Sequence, residues 1–263
     1  MPWCLSSCQS PPLRTGEALP LTFSIGGTSP TVLGPSMGNV VIRAPDNSGS
    51  LFHIYKGTFS VVLLAVVDAQ YCFQVVDVGS YGRTSNGGVL ANSTFGQALR
   101  DGTLGLPQDA LLPGAEHLGP QPHVFVADEA FPLCQDLMRP FPGPNLSGRH
   151  RVFNYRLSRA KLIVENTFGI LTAQWHMCRR VIGISPANVD TCVKATCVLH
   201  NFLRRTASTT RAPVPSAEDG EAVGLQEVTR VGSNNSTREA IHVRETFVLY
   251  FSAERAVPWQ PVA

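Results

Sequence analysis

The chain has 263 residues, of which 43% are hydrophobic and 15% are charged, so we expect one domain with a large core and additional segments. The composition gives no sign of a fibrous or repeat architecture. The longest apolar run, 59–67, is too short to cross a bilayer as a helix, and seven scattered cysteines do not resemble a disulfide framework. We therefore expect an intracellular protein that does not span a membrane.

The first part of the chain predicts strands after an irregular start. Residues 1–38 are rich in Pro, Ser and Gly and show neither a helical nor a strand period. Residues 39–43 predict a short strand that ends before Pro45. Two runs rich in β-branched residues, 59–67 and 71–78, predict a hairpin, and the first run is apolar on both faces, as in a central strand.

The middle of the chain predicts a further strand and a long helix. Residues 80–122 predict turns and a short helix over 93–100, and the apolar run 123–127 predicts a strand that ends on Asp128. After a proline-rich bend, apolar residues recur at intervals of three and four, which predicts an amphipathic helix along Leu157, Ala160, Val164, Phe168, Leu171 and Trp175.

The last predicted helix covers residues 186–205. Ser185 is suited to cap it, and Pro186 stands at the first helical position, where its missing N–H costs nothing. The tail over 206–263 is polar and without a clear period, so we expect it to be largely disordered, with at most one short element near 242–254.

Positive charge is concentrated in one window of the sequence. Between residues 139 and 180 there are eight Lys or Arg and one acid, Glu165, which gives that window a charge of +7. A local positive field of this kind suits a polyphosphate partner and makes binding salt-dependent. The alternative interpretation, a solvated helix face, usually includes more acids.

Two acidic residues stand where α/β proteins hold ligands. Asp128 ends a predicted buried strand, and Glu165 lies on the predicted helix that follows. Carboxylates brought together in this way hold Mg²⁺, and a pair of ions activates water and stabilises the leaving oxygen of a phosphodiester. The alternatives are a strand-end turn residue for Asp128 and a surface ion pair with Lys161 for Glu165.

Four stretches of sequence follow one another over about two thirds of the chain: YKGTFSVVLLAVVDAQYCFQVVDVGSYG, HVFVADEAFPL, FNYRLSRAKLIVENTFGIL and CVLHNFL. Together they resemble the hallmark stretches of PIF/Harbinger-type DDE transposases and of the domesticated nuclease derived from them. The resemblance implies an α/β, RNase H-like domain over 39–205, with a mixed sheet flanked by helices, and leaves 1–38 outside it. It also implies metal-dependent cleavage or joining of DNA strands.

The resemblance assigns roles to single residues. Asp128 matches the second catalytic acid of the family, in a Gly-Asp-x-x-Tyr/Phe-Pro stretch in which Ala127 replaces the usual Gly, and Glu165 matches the final acid in its Val-Glu-x-x-Phe-Gly helix. Both would hold Mg²⁺ or Mn²⁺. The family's first acid precedes the first strand, and Ser36 stands at the matching position here, so the first catalytic Asp is absent.

Other polar residues carry weaker functional readings. Cys192, Cys197 and His200 lie within one predicted helix without a second ligand pair, so structural zinc is disfavoured. Asp68 and Asp77 read as turn residues at strand ends. Two roles fit three basic residues equally well, namely contact with DNA phosphates and solubility of the helix face: Arg156, Arg159 and Lys161.

Two hypotheses follow from these observations. The first is a transposase-derived, metal-dependent DNA endonuclease, impaired because the first acid is missing; the alternative is a catalytically inactive DNA-binding or scaffold protein that keeps the fold. Expected partners are DNA and, because no helix-turn-helix module is evident, a separate DNA-binding protein acting in trans. A protein of this kind is expected in the nucleus, or in both nucleus and cytoplasm.

Overall fold

The computed structural model describes residues 32–33, 35–54, 57–207, 226–227 and 236–257. In chain order its strands and helices are β1 (Val32–Leu33), β2 (Pro35–Ile42), β3 (Phe59–Val67), β4 (Phe73–Tyr81), α1 (Asn86–Asn92), α2 (Thr94–Arg100), β5 (Ala110–Leu111), β6 (Pro120–Gln121), β7 (Phe125–Val126), β8 (Leu137–Met138), α3 (Gly148–Gln174), α4 (Pro186–Ala207), β9 (Gln226–Glu227) and α5 (Arg238–Ser252). Within the described ranges, no helix is long and apolar enough to cross a membrane.

The antiparallel strands β2, β3 and β4 form the main sheet, with β9 on the outer side of β2. β3 lies between two partners and is buried along nearly its whole length, which confirms the predicted central strand and its hairpin. Successive side chains of a strand point to opposite faces. Its two faces therefore enter two different cores: Val61, Leu63, Ala65 and Val67 in one, and Val62, Leu64 and Val66 in the other.

A separate three-stranded sheet is parallel and has the order β1–β7–β8. β1 precedes β2 by one residue in the chain, so the two sheets are consecutive in the sequence. The chain therefore has a mixed α/β architecture, in which α3, α4 and α5 share one core and α1 and α2 contribute to the other.

The two long helices agree with their sequence patterns. Ser147 caps α3 by accepting a hydrogen bond from the N–H of His150, as helix N-caps do. The predicted apolar stripe is buried from Leu157 to Leu171, while Trp175 follows the last turn and is partly exposed. α4 begins at Pro186, as predicted, and extends two residues further than expected, to Ala207.

The first strand begins earlier than the sequence indicated. β2 starts at Pro35, not at Asn39, and Ser36 lies inside it, opposite Ala65 of β3. Proline has no N–H to donate, but at the first residue of a strand that N–H is not required, so Pro35 can begin β2. The expectation of an irregular segment up to residue 38 was therefore wrong for residues 35–38.

Helix α1 occupies a region where only a turn was expected. The pair Gly87 and Gly88 suggested a loop, but the side chain of Ser85 caps this helix by accepting from the N–H of Gly88. Helix α2 agrees with the predicted 93–100 helix, and Ser93 is its N-cap. Gly96 is required there because a side chain at this position would collide with the carbonyl of Leu90.

Helix α5 is the main departure from the sequence prediction. At most one short element was expected near 242–254, in a tail outside the core, whereas α5 has 15 residues. Its buried residues belong to the same core as α3 and β3: Ala240, Val243, Phe247, Val248, Tyr250 and Phe251. The expectation of a tail without core contacts is therefore wrong for this helix, because its apolar face completes the packing of α3.

Candidate functional site

Asp128 lies just beyond the carboxyl end of β7. Its Oδ1 accepts a hydrogen bond of 2.9 Å from the N–H of Ala130, which forms a local turn. The preceding Ala127 is 3% exposed and donates its N–H to the carbonyl of Met138 at 2.9 Å. The Asp128 residue itself is partly exposed. Its carboxylate therefore lies at the edge of the sheet, directly after a strand that is paired on both sides.

Buried Arg139 supports the turn that follows Asp128. Its Nη1 donates to the carbonyl oxygens of Glu129 and Phe131, at 3.3 and 3.2 Å, and the residue is 6% exposed. Arg139 belongs to the 139–180 window of positive charge that suggested a polyphosphate partner, whereas in the structure it makes internal contacts. Nothing in the local sequence distinguishes it from the exposed arginines of that window.

Ser36, the residue at which the resemblance expects the first acid, lies inside β2, opposite Ala65 of β3. Asp128 follows β7, which pairs in parallel with β1, and β1 ends at Leu33, three residues before Ser36. Ser36 is 9% exposed. It stands an even number of residues from Val40, which packs in the core shared with α3, so strand alternation assigns Ser36 to the face that α3 covers.

Glu165 lies on α3 at the outer margin of the buried stripe. Its side chain is 42% exposed, and its Oε1 is 3.2 Å from Nζ of Lys161, one turn earlier. Its neighbour Val164 is 2% exposed and belongs to the core. The surface ion pair that was the alternative interpretation of this residue is therefore present. Over the described part of the chain, no group of three or more His, Cys, Asp or Glu residues is arranged to hold a metal ion.

The three basic residues assigned to DNA contacts do not share one environment. Arg156 is 1% exposed, and its guanidinium carbon lies 5.0 Å from the centre of the Phe251 ring. Burial lowers the pKa of Arg156, and the nearby charge of Arg255 adds to this effect. Arg159 is exposed and Lys161 is partly exposed. A DNA phosphate therefore has access to Arg159 and Lys161, while the expectation for Arg156 does not fit its buried position under α5.

His200, one of the zinc candidates, and its neighbour Asn201 connect α4 to the β3–β4 hairpin. His200 Nε2 lies 2.8 Å from the carbonyl oxygen of Tyr71, and burial lowers the pKa of this imidazole. The Asn201 amide accepts from the N–H of Phe73 at 2.8 Å and donates to its carbonyl at 2.7 Å. Burial raises the pKa of the Cys197 thiol. These contacts give the CVLHNFL stretch a structural role.

The two other acids of the hairpin differ in their positions. Asp68 Oδ1 accepts from the N–H groups of Gln70 and Cys72, at 2.9 and 2.8 Å, so it is the turn residue that the sequence indicated. Asp77 lies in the middle of β4, opposite Leu64 of β3, so the expectation that it is a turn residue was wrong. Burial raises the pKa of its carboxyl group, while Lys194 of α4 opposes that rise.

Comparison with known proteins identifies the family. The sequence model of the family described as "DDE superfamily endonuclease" matches residues 38–201, which is more than half of the chain. The Arabidopsis thaliana protein named "Protein ALP1-like" is 29% identical over 146 residues, which are 55% of this chain and 35% of that protein. The chain thus corresponds to about a third of the curated relative, and no solved structure matches it. The chain belongs to the DDE superfamily endonucleases, and its resemblance to the Harbinger-type DDE transposases is confirmed.

Proposed function

We propose that this chain is a transposase-derived DNA endonuclease domain with an RNase H-like fold, whose divalent-metal-dependent cleavage of phosphodiester bonds is impaired. The observation that carries the proposal is the residue at the start of β2. By the family resemblance the first catalytic acid would stand at Ser36, which lies inside β2 opposite Ala65. A hydroxyl group there adds no negative charge and is a weak ligand for Mg²⁺ or Mn²⁺.

The strand arrangement supports the RNase H-like fold. The antiparallel sheet of β4, β3 and β2 and the parallel sheet of β1, β7 and β8 supply both strand directions, which is compatible with the mixed sheet that the family resemblance implies. Helices cover both faces of the hairpin strands. In such sheets the ligand lies beyond the carboxyl ends of the parallel strands, and Asp128 follows the carboxyl end of β7.

The donor groups present suit a single hard cation better than a pair. Asp128 and Glu165 supply carboxylate oxygens, which Mg²⁺ and Mn²⁺ prefer, but catalysis with two ions needs further carboxylates between them. Among the described residues no cluster of three such groups exists. We therefore expect weak binding of one divalent ion through Asp128 and Glu165.

The ion pair on α3 further weakens this site. Glu165 is 3.2 Å from the ammonium group of Lys161, so it shares its charge with a neighbour. A cation that binds Glu165 must displace this lysine, although an exposed pair of this type is held by no more than about 1 kcal/mol. Displacing Lys161 therefore costs little, and the absence of an acid at Ser36 should weaken metal binding more than this ion pair does.

DNA binding is the part of the proposed function that the missing acid leaves intact. Six of the eight basic residues in the 139–180 window are exposed or partly exposed: Arg149, Arg151, Arg159, Lys161, Arg179 and Arg180. Contacts from such residues to phosphates carry no base information, so binding is expected to be salt-dependent and weakly sequence-specific. A separate DNA-binding protein in trans would then select the site, and the nucleus is the expected compartment.

The second candidate function is an inactive DNA-binding or scaffold protein. Two observations favour it: Glu165 already has a partner in Lys161, and Ser36 occupies the first-acid position inside a paired strand. The two candidates differ only in whether any cleavage remains. Their shared expectation is a stable fold that binds DNA.

Nicking of supercoiled plasmid in Mg²⁺ or Mn²⁺ tests the proposal. The wild-type chain should nick at a rate close to that of the Asp128→Asn and Glu165→Gln variants. Ser36→Asp restores the first carboxylate and should raise nicking by at least about tenfold, equivalent to about 1.4 kcal/mol of barrier. Ser36→Asn is the matched control, because asparagine has nearly the size of aspartate but no charge. It should leave the nicking rate unchanged.

The outcome separates the candidates. The wild-type chain could instead nick DNA efficiently and lose this activity in both Asp128→Asn and Glu165→Gln. That result would show that the site is complete and that the proposed impairment of cleavage is wrong. If Ser36→Asp folds, as its thermal midpoint would report, and still fails to nick while binding DNA, the inactive scaffold is favoured. Absence of DNA binding in all variants would remove both candidates.

A further inference from the structure

Arg244 of α5 holds its guanidinium group over the ring of Phe141. Its Cζ atom lies 3.8 Å from the centre of that ring. The imidazole of His150, in the first turn of α3, is stacked on the same ring, with 3.9 Å between the two ring centres. Two groups cannot both stand this close to one ring centre on the same side, so they cover opposite faces. Phe141 is therefore enclosed between a residue of α3 and a residue of α5.

Phe141 is itself fixed by α3. Its N–H donates to Oδ1 of Asn154 at 2.8 Å, and Nδ2 of Asn154 donates to its carbonyl oxygen at 2.9 Å. The ring of Phe153 meets the Phe141 ring edge-on, with 5.5 Å between their centres. A guanidinium group stacked on a ring that is held in this way keeps one orientation, so it loses less conformational entropy when it binds a ligand.

The side chain of Arg244 forms no ion pair within the described part of the chain. The residue is partly exposed, and of its three guanidinium nitrogens only Nε is buried without a hydrogen-bond partner, so Nη1 and Nη2 are open to solvent. Burial lowers the pKa of this group, which Glu245 opposes and the positive charge of Arg139 reinforces. Glu245 itself lies 3.7 Å from Nε2 of His150. An anion at Nη1 and Nη2 would relieve both the burial and the repulsion from Arg139.

We propose that Arg244 binds a backbone phosphate of DNA and so extends the DNA-binding surface from α3 onto α5. The inference rests on the DNA binding proposed above and adds to it a residue outside the 139–180 window. Nη1 and Nη2 would donate to two phosphate oxygens, the paired geometry for which a guanidinium group is suited. Arg149 and Arg151 are exposed in the same first turn of α3 as His150 and suit neighbouring phosphates. The family match ends before α5, so the resemblance does not assign this contact.

Arg139 relates this phosphate position to the candidate site. Its Nη1 donates to the carbonyl oxygens of Glu129 and Phe131, in the turn that follows Asp128, and its charge also acts on Arg244. Helix α5 contacts β8, which ends one residue before Arg139. A duplex held at Arg244 therefore lies on the side of the molecule at which Asp128 follows β7. DNA is favoured over an acidic peptide because this cation continues the basic surface of α3.

Fluorescence anisotropy of a labelled duplex with the full chain, at several salt concentrations, tests the proposal. Arg244→Gln should weaken binding at least about fivefold and reduce the slope of log K against log salt by about 0.9, the value for one phosphate contact. Arg238→Gln, an exposed position in the first turn of α5, is the matched control. It removes the same charge from the same helix and should weaken binding by less than about twofold, with an unchanged slope. Arg244→Lys keeps the charge but loses the planar fork, so it should retain the slope and weaken binding at least about twofold.

Thermal midpoints show whether each variant folds, and Arg244→Lys decides the question if Arg244→Gln does not. Equal effects of Arg244→Gln and Arg238→Gln on affinity, or an unchanged salt slope in Arg244→Gln, would overturn the proposal. Unchanged or tighter binding together with a lower thermal midpoint would also overturn it, because Arg244 would then serve acidic groups of this chain. If Arg159→Ala/Lys161→Ala weakens binding while Arg244→Gln does not, DNA binding by α3 stands and only the contact from α5 is wrong. Absence of DNA binding by the wild-type chain would remove both.

Discussion

The helices α3 and α4 both carry stretches of the family resemblance, but they use their polar residues in opposite ways. On α4, His200 and Asn201 are 0% and 6% exposed and bond to backbone atoms of the β3–β4 hairpin. On α3, Glu165 is exposed and contacts a lysine of its own helix. The residues that hold the fold are buried and bond to the backbone of another element, whereas the residue that resembles a catalytic acid is exposed and, among the described residues, contacts only its own helix.

This difference separates the requirements of the fold from those of the chemistry. A buried amide with two backbone partners cannot be lost without leaving those partners unsatisfied, which is costly. An exposed carboxylate can be lost at little cost to stability. A chain of this family can therefore lose residues of its site while it keeps its architecture, and we propose that Ser36 arose in this way.

Asn201→Ala should have the largest effect on stability. It removes both hydrogen bonds to Phe73 and leaves a buried N–H and carbonyl without partners, so we expect a loss of about 2 to 4 kcal/mol in the free energy of unfolding. Urea denaturation followed by circular dichroism measures it. Asn166→Ala, at an exposed position of α3, is the matched control. A loss below about 1 kcal/mol for Asn201→Ala would break the comparison.

Arg156→Ala should destabilise the protein by about 2 kcal/mol, because its side chain is buried against Phe251 and its removal leaves a gap between α3 and α5. Arg159→Ala, on the exposed side of the same helix, should change stability by less than about 0.5 kcal/mol. Thermal and urea unfolding of the two variants compare them directly. Equal effects would show that α5 does not hold Arg156 as described.

The imidazole of His200 should make stability depend on pH. Burial lowers its pKa in the folded state, so below about pH 6.5 the unfolded chain binds a proton that the folded chain resists. Stability due to this group is therefore retained at neutral pH and lost as the pH falls through that range, by no more than about 1.4 kcal/mol per pH unit. Urea unfolding between pH 5 and 7.5 should show a smaller slope for His200→Gln. Identical slopes would contradict the assignment.

Arg159→Ala/Lys161→Ala should weaken DNA binding about fivefold and reduce the slope of log K against log salt by about 1 to 2, since each phosphate contact contributes about 0.9. Fluorescence anisotropy with a labelled duplex at several salt concentrations measures this. Asp46→Asn/Asp101→Asn is a control for effects of net charge elsewhere on the surface. Unchanged binding at every salt concentration would remove α3 from the DNA interface.

Glu165→Gln should have the smallest effect on the fold. It replaces an exposed ion pair by a neutral amide, so the free energy of unfolding should change by less than about 0.5 kcal/mol. Urea unfolding beside wild type is sufficient to detect a larger change. A loss comparable to that of Asn201→Ala would mean that Glu165 supports the architecture and that the distinction between the two helices is wrong.

The sequence predicted the elements whose patterns arise from local burial. β3 is recognisable because both of its faces are buried, and α4 because Ser185 and Pro186 mark its start. Helix α5 was missed although a stripe of Ala240, Val243 and Phe247 has the spacing of a helix. The polar residues between them weaken the apolar period of this segment. The burial of its apolar face is explained only by its packing against α3.

The candidate site was predicted only in part because its geometry depends on contacts distant in sequence. The position of Asp128 at a strand end could be read from the apolar run before it. That Pro35 begins a paired strand depends on its pairing with Val66 of β3, and the place of Asp128 depends on the pairing of β7 with β1, which are about 90 residues apart in the sequence. No local pattern distinguishes exposed Arg159 from buried Arg156, since helix α5 alone decides their environments.

The packing of α5 constrains which fragments of this protein stay in solution. Phe153 of α3 lies 6.2 Å from Phe251, and Phe247 packs beside that ring. A fragment that stops at Asn201, the last residue of the family match, would leave this side of α3 uncovered. Contiguous apolar patches of that kind cause aggregation. Such a fragment should accumulate in inclusion bodies, whereas one that extends through residue 257 should be recovered in the supernatant.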